Sequence, residues 1–172
     1  MQRPLFHASR RALSGTLSVG ANPTPFSVSA QAKGLGFIDQ ELDRARPPAA
    51  PSRQLCFYAF DSLEMACIYA EAEDTTVAWT FHEVTMPAPA RVPFVLSGRL
   101  RALGQGHGHT QALAREYWNP TQAWEVCDYL SPTMSVVRVV PSPIPRPPPF
   151  CPILLQRFAH QRDADLARRL FP

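Results

Sequence analysis

The chain has 172 residues, 45% hydrophobic and 18% charged, the balance of one globular domain rather than of a disordered or fibrous chain. A chain of this size buries roughly two thirds of its unfolded surface, so a real core is expected. No run reaches the ~18 uninterrupted apolar residues that a spanning helix needs, and a net charge of +3 suits an anionic small ligand but is too weak to argue nucleic-acid binding.

Four cysteines, Cys56, Cys67, Cys127 and Cys151, form no CxxC pair and no His/Cys zinc spacing. Each lies in or beside an apolar run, so buried free thiols and a reducing, cytoplasmic setting are expected. The opening MQRPLFHASRRALSG lacks the apolar stretch of a secretory signal.

In chain order, PLFHAS predicts a short strand. GFIDQELDRAR carries acids near its start and arginines at its end, as a helix macrodipole favours. RPPAAPSR is a stiff connector, because each proline fixes φ and removes a donor. QLCFYAF predicts a buried strand, and SLEMACIYAEAE a helix capped at Asp61 or Ser62 with Glu64 placed for a capping box. TTVAWTFHEVTM alternates as a strand does, and RVPFVLSG predicts an edge segment because Pro93 does not suit a central strand. TQALAREYW predicts a helix. WEVCDYL and MSVVRVV predict two strands parted by Ser131 and Pro132. PSPIPRPPPF predicts polyproline II, and ILLQRFAHQRDADLARRLF a closing helix. Strands come in runs, without strict βαβ alternation, which favours an α+β fold. Residues 1–140 are expected to form the domain, and 141–172 a Pro-rich segment and terminal helix.

Three separated pieces carry candidate chemistry: His7 in LFHAS, Tyr58 and Tyr69 eleven residues apart in FYAFDSLEMACIYA, and Glu125 in WEVCDYL. In this order they resemble the His-Tyr-Glu clade of ADP-ribosyltransferases, across residues 5–140. The family's pattern is a strand with His, a small residue and Ser or Thr; then a strand tyrosine and a helix tyrosine eleven positions on; then a Glu opening a late strand.

The resemblance implies a fold of two small, mostly antiparallel sheets with flanking helices around an NAD cleft. NAD is then the substrate and nicotinamide the leaving group. Glu125 is implied to stabilise positive charge on the ribose, as carboxylates do in glycoside hydrolysis. Tyr58 and Tyr69 are implied to stack on nicotinamide. His7 and Ser9 are implied to bind ribose, and Arg10 or Arg11 the pyrophosphate. The loop EYWNPTQAW, with Tyr117, Trp118 and Gln122, occupies the place where the family recognises its acceptor. Ala8 replaces the glycine that often follows the His, and Ala123 stands where arginine-modifying toxins carry Gln or Glu.

The acceptor itself is not legible: protein side chain, nucleic acid and small molecule all fit. A toxin or phage-conflict role is implied by analogy alone. Water as acceptor, giving an NAD glycohydrolase, and a non-catalytic binding module are the rival readings. No metal is expected, since His107 and His109 in GQGHGHT lack further ligands. PSR, ending at Arg53, is a second candidate to face the cleft.

Overall fold

The computed structural model describes residues 3–73, 76–142 and 161–172. Its strands are β1 (Leu5–Ser9), β2 (Thr16–Ser18), β3 (Phe57–Phe60), β4 (Thr80–Thr85), β5 (Ala90–Pro93), β6 (Cys127–Ser131) and β7 (Thr133–Val140). Its helices are α1 (Pro25–Ala32), α2 (Gly36–Arg44), α3 (Leu63–Glu73), α4 (Phe94–Leu103), α5 (Thr110–Trp118) and α6 (Gln161–Leu170). No described helix is long and apolar enough to cross a membrane.

Local chemistry sets most boundaries. Thr24 caps α1 by accepting from the Ser27 amide at 3.4 Å, with Pro25 in the first turn where its missing N–H costs nothing. Ser62 accepts from the Met65 amide at 3.4 Å and starts α3. Pro93 ends β5 on the sheet edge, as proline's missing donor requires. It also caps α4 with φ −63°. Gly104, at φ +85°, follows α4 in a conformation that side-chain-bearing residues avoid.

The α+β class is present, but the expected two sheets are one. Seven strands pair antiparallel in the order β2-β7-β4-β1-β3-β6-β5. The two halves, β2-β7-β4-β1 and β3-β6-β5, meet at a single register pair, Phe6 with Phe60. That pair makes one sheet where the resemblance implied two.

α3 packs on β1, β3 and β4, burying Phe60, Met65, Ile68, Phe81 and Val140 in one cluster. The largest cluster gathers Leu42, Tyr58, Leu96, Leu113, Tyr117 and Leu130 from α2, β3, α4, α5 and β6. A third, with Leu5, Ala59, Val84, Met86 and Met134, lies on the other sheet face. Ala167 of α6 and Phe171 just beyond it enter the largest cluster, so the terminal helix is built into the main core. Residues 143–150 of the predicted polyproline stretch, and Cys151, lie outside the described residues; Cys56, Cys67 and Cys127 are buried, as expected.

Candidate functional site

His7 lies on β1 and Tyr58 on the adjacent β3, while Glu125 lies two residues ahead of β6, the next strand of the sheet. At the β1–β3 seam His7 Nδ1 donates to the Tyr58 carbonyl at 2.6 Å, a side chain serving where a ladder amide would. Burial, with His82 alongside, lowers its pKa to about 4 despite that bond. The ring is therefore neutral at pH 7. With Nδ1 donating, Nε2 is left as an acceptor, which suits a hydroxyl and not a phosphate.

Strand pleating places His7 with Leu5 and Ser9, on the face opposite Phe6 and Ala8. Paired residues share a face, so Phe6, Phe60, Asp128, Tyr58 and Leu130 stand together on the helix-covered side. There a cavity of about 430 Å³ opens, bounded by α1, α2, α3, α4, α6 and the sheet, a size typical of small-molecule sites. Tyr58 and Tyr69 both line it. Tyr69 packs its ring against Phe60 at 5.4 Å and Phe94 at 6.1 Å. The Tyr58 hydroxyl donates to the Arg53 carbonyl at 2.7 Å. Burial raises both phenols well above their ordinary range, so both stay protonated.

Arg53 and Asp128 form the charged interior of this cavity. Arg53 is 4% exposed and pairs with Asp39 at 2.9 Å. Its guanidinium lies 5.2 Å from the Tyr58 ring centre and 5.0 Å from that of Tyr117, and it donates to the Tyr117 hydroxyl. Burial opposes its charge, but Tyr58, Asp39 and Asp128 hold its pKa above the ordinary value. Asp128 is 3% exposed, and its Oδ1 has no hydrogen-bond partner among the described residues. Burial, opposed by Arg53, raises its pKa to about 7. The exposed rim adds Lys33, Arg101 and Arg168, with Arg99 half-buried and Glu73 the one rim acid.

Among the described residues the cavity lining includes neither His7 nor Glu125. Glu125 is exposed, and its carboxylate pairs with Arg162 at 2.7 Å. Its amide and that of Val126 donate to the fully buried Asp163 of α6 at 3.0 to 3.1 Å. Asp163 thus fixes the backbone that presents Glu125. Ser9 donates to the Arg11 carbonyl, and Arg10 lies 5.9 Å from the Trp79 ring; neither lines the cavity.

The loop ahead of Glu125 requires a correction. Tyr117 is fully buried and Trp118 is 8% exposed, donating from Nε1 to the Leu42 carbonyl at 2.7 Å. Both are core, because α5 turns this face onto α2 and α4, and neither can meet an acceptor at the surface. Gln122 is exposed and stays available. The loop is pinned by Glu116, which accepts from the Thr121 amide and hydroxyl, the Gln122 amide and Trp124 Nε1 at 2.7 to 3.1 Å. Burial works against its charge, yet these donors lower its pKa overall.

His107 and His109 stack at 5.4 Å in a loop; no group of three metal-binding side chains occurs among the described residues. Compared with known proteins, the chain matches no family model and no curated sequence, so any chemistry rests on the residues themselves.

Proposed function

We propose that the chain binds NAD and transfers its ADP-ribose to an acceptor nucleophile, releasing nicotinamide. One observation carries this reading. The two tyrosines spaced eleven apart, Tyr58 on β3 and Tyr69 on α3, line one cavity with a buried carboxyl and a cationic rim. The chemistry of the residues fits the ligand. The aromatic wall suits a flat heterocycle and the arginine rim suits a pyrophosphate, while His7 stands on the opposite sheet face and is not part of this lining.

In the reaction the bond between ribose C1′ and the nicotinamide nitrogen breaks. Its electron pair leaves on that nitrogen, whose positive charge is thereby neutralised. The acceptor's nucleophile bonds to C1′ and loses its proton. Glu125 supplies negative charge near the ribose as positive charge develops there, an effect worth roughly 3–4 kcal/mol for one well-placed group. Its pairing with Arg162 does not prevent this, because an exposed ion pair is worth at most about 1 kcal/mol and can open. The acceptor is a protein side chain, a nucleic acid or a small molecule, with Gln122 at the surface beside Glu125.

The test is nicotinamide release from NAD by purified protein, wild type against Glu125→Gln, with and without cell lysate. Release by wild type that falls about 100-fold in Glu125→Gln supports the assignment. Lysate-dependent release marks transfer, and lysate-independent release without a labelled product marks the glycohydrolase. No release under any condition leaves a binding module and removes the enzymatic reading.

A further inference from the structure

The resemblance directs attention to one carboxylate, Glu125, but the cavity holding both tyrosines contains a different one. Asp128 belongs to β6, paired with Phe60 and on the face of Tyr58, and it lines the cavity directly. A buried carboxyl normally collects donors, as an unmet acceptor in a protein interior is costly. Glu116 shows what this chain does when a carboxylate is structural, since four donors surround it. Asp128 Oδ1 has none among the described residues, at 3% exposure. Arg53, the nearby cation, directs its Nε to Asp39 and one amino group to Tyr117 instead.

We propose that Asp128 is a ligand-contacting residue, whose Oδ1 pairs with the carboxamide of a nicotinamide-type ring lying against Tyr69, while the anionic remainder leaves over Arg99, Arg101 and Arg168. A primary carboxamide presents an N–H donor and a C=O acceptor side by side. It therefore matches a carboxyl group in either protonation state, which an exocyclic amine alone does not. The rim carries Lys33, Arg99, Arg101 and Arg168 against Glu73, so the exit is cationic. This inference rests on the NAD-binding part of the proposed function and is independent of whether the bound dinucleotide is cleaved.

Calorimetric titration with a carbocyclic, uncleavable NAD analogue and with ADP-ribose, which lacks the carboxamide, separates the possibilities. The proteins are wild type, Asp128→Ala and Asp128→Leu, neither variant keeping a group that can pair with a carboxamide. Both remove a buried charge, so both are expected to fold; thermal melting checks this, and Asp128→Leu serves if the alanine variant does not. The expected result is analogue binding about 10- to 100-fold weaker in Asp128→Ala, the loss of one charge-assisted hydrogen bond, with ADP-ribose affinity unchanged. Unchanged affinity for the analogue overturns the role of Asp128 and leaves NAD binding standing. Equal weakening for both ligands also overturns it, since the carboxamide is then not what Asp128 reads. A wild type that binds neither ligand overturns the NAD reading and this inference with it.

Discussion

Two buried carboxylates, Glu116 and Asp128, lie on α5 and β6, which share one core, and are treated in opposite ways. Glu116 is 8% exposed and Asp128 3%, so burial alone does not separate them. Glu116 gathers four donors from the loop it pins, and its pKa falls despite burial. Asp128 gathers none on Oδ1, and burial raises its pKa to about 7. The first arrangement stabilises a loop. The second is a cost carried by the fold at the wall of a cavity, and such costs are characteristic of sites that meet a ligand.

The largest effect is expected where the cavity's cation is removed. Arg53→Met leaves Asp39 buried without its partner, and about 3–5 kcal/mol of stability is lost. Thermal unfolding reads this as a drop of roughly 6–20 °C, and a drop under about 2 °C would contradict the account of the buried pair.

Asp128→Asn is expected to move stability the other way. An acid whose folded pKa lies above its unfolded value contributes fully below the unfolded pKa, here 3.8, and loses that contribution as pH rises through about 7. The asparagine variant therefore gains about 1–3 kcal/mol over wild type at pH 8, and the gain vanishes near pH 4. A melting difference that is flat with pH contradicts the raised pKa.

Glu116→Ala strands the Trp124 indole N–H and two loop amides, costing about 2–3 kcal/mol. Its pH sign is opposite. The lowered pKa means stability present above the unfolded carboxylate range and lost as pH falls through the folded value. Denaturant unfolding of wild type and variant at pH 7 and pH 3 shows whether the difference shrinks in acid.

The smallest change in stability is expected at Glu125. Glu125→Ala and Arg162→Ala each alter melting by the equivalent of less than about 1 kcal/mol, because the pair is exposed. A larger loss in Glu125→Ala marks the residue as structural rather than poised for chemistry.

Much of the fold was legible because its elements carry strong local signals. The helices α2, α3 and α5 begin or end where caps, acids and arginines place them, and β1 and β6–β7 follow apolar runs broken by Ser131 and Pro132. β5 sits at the edge that Pro93 demands. The helix α1, in PFSVSAQA, is short and mixes Ser, Ala and Gln without an apolar stripe, so periodicity misses it. β2 has three residues and no buried one. α4 follows a proline and carries Gly98 inside, and the strand signal of RVPF outweighed its helical continuation.

The site was less legible, since its geometry depends on register. Tyr58, Tyr69 and Arg53, each singled out in the sequence, line one cavity, whereas Tyr117 and Trp118, which the resemblance implies for acceptor recognition, lie on α5 and are buried in the core. Asp128 did leave a trace. Val126, Asp128 and Leu130 alternate on one strand face, and a carboxylate between two apolar neighbours signals an inward acid. Only the pairing of Phe60 with Asp128 shows that this face is the one lined by the tyrosines.

The most direct measurement is a crystal structure of the protein with the carbocyclic NAD analogue bound. The account predicts the nicotinamide ring against Tyr69, its carboxamide within hydrogen-bond distance of Asp128, and the pyrophosphate at the arginine rim. An analogue seated elsewhere, with the cavity of Tyr58 and Tyr69 untouched, contradicts the account.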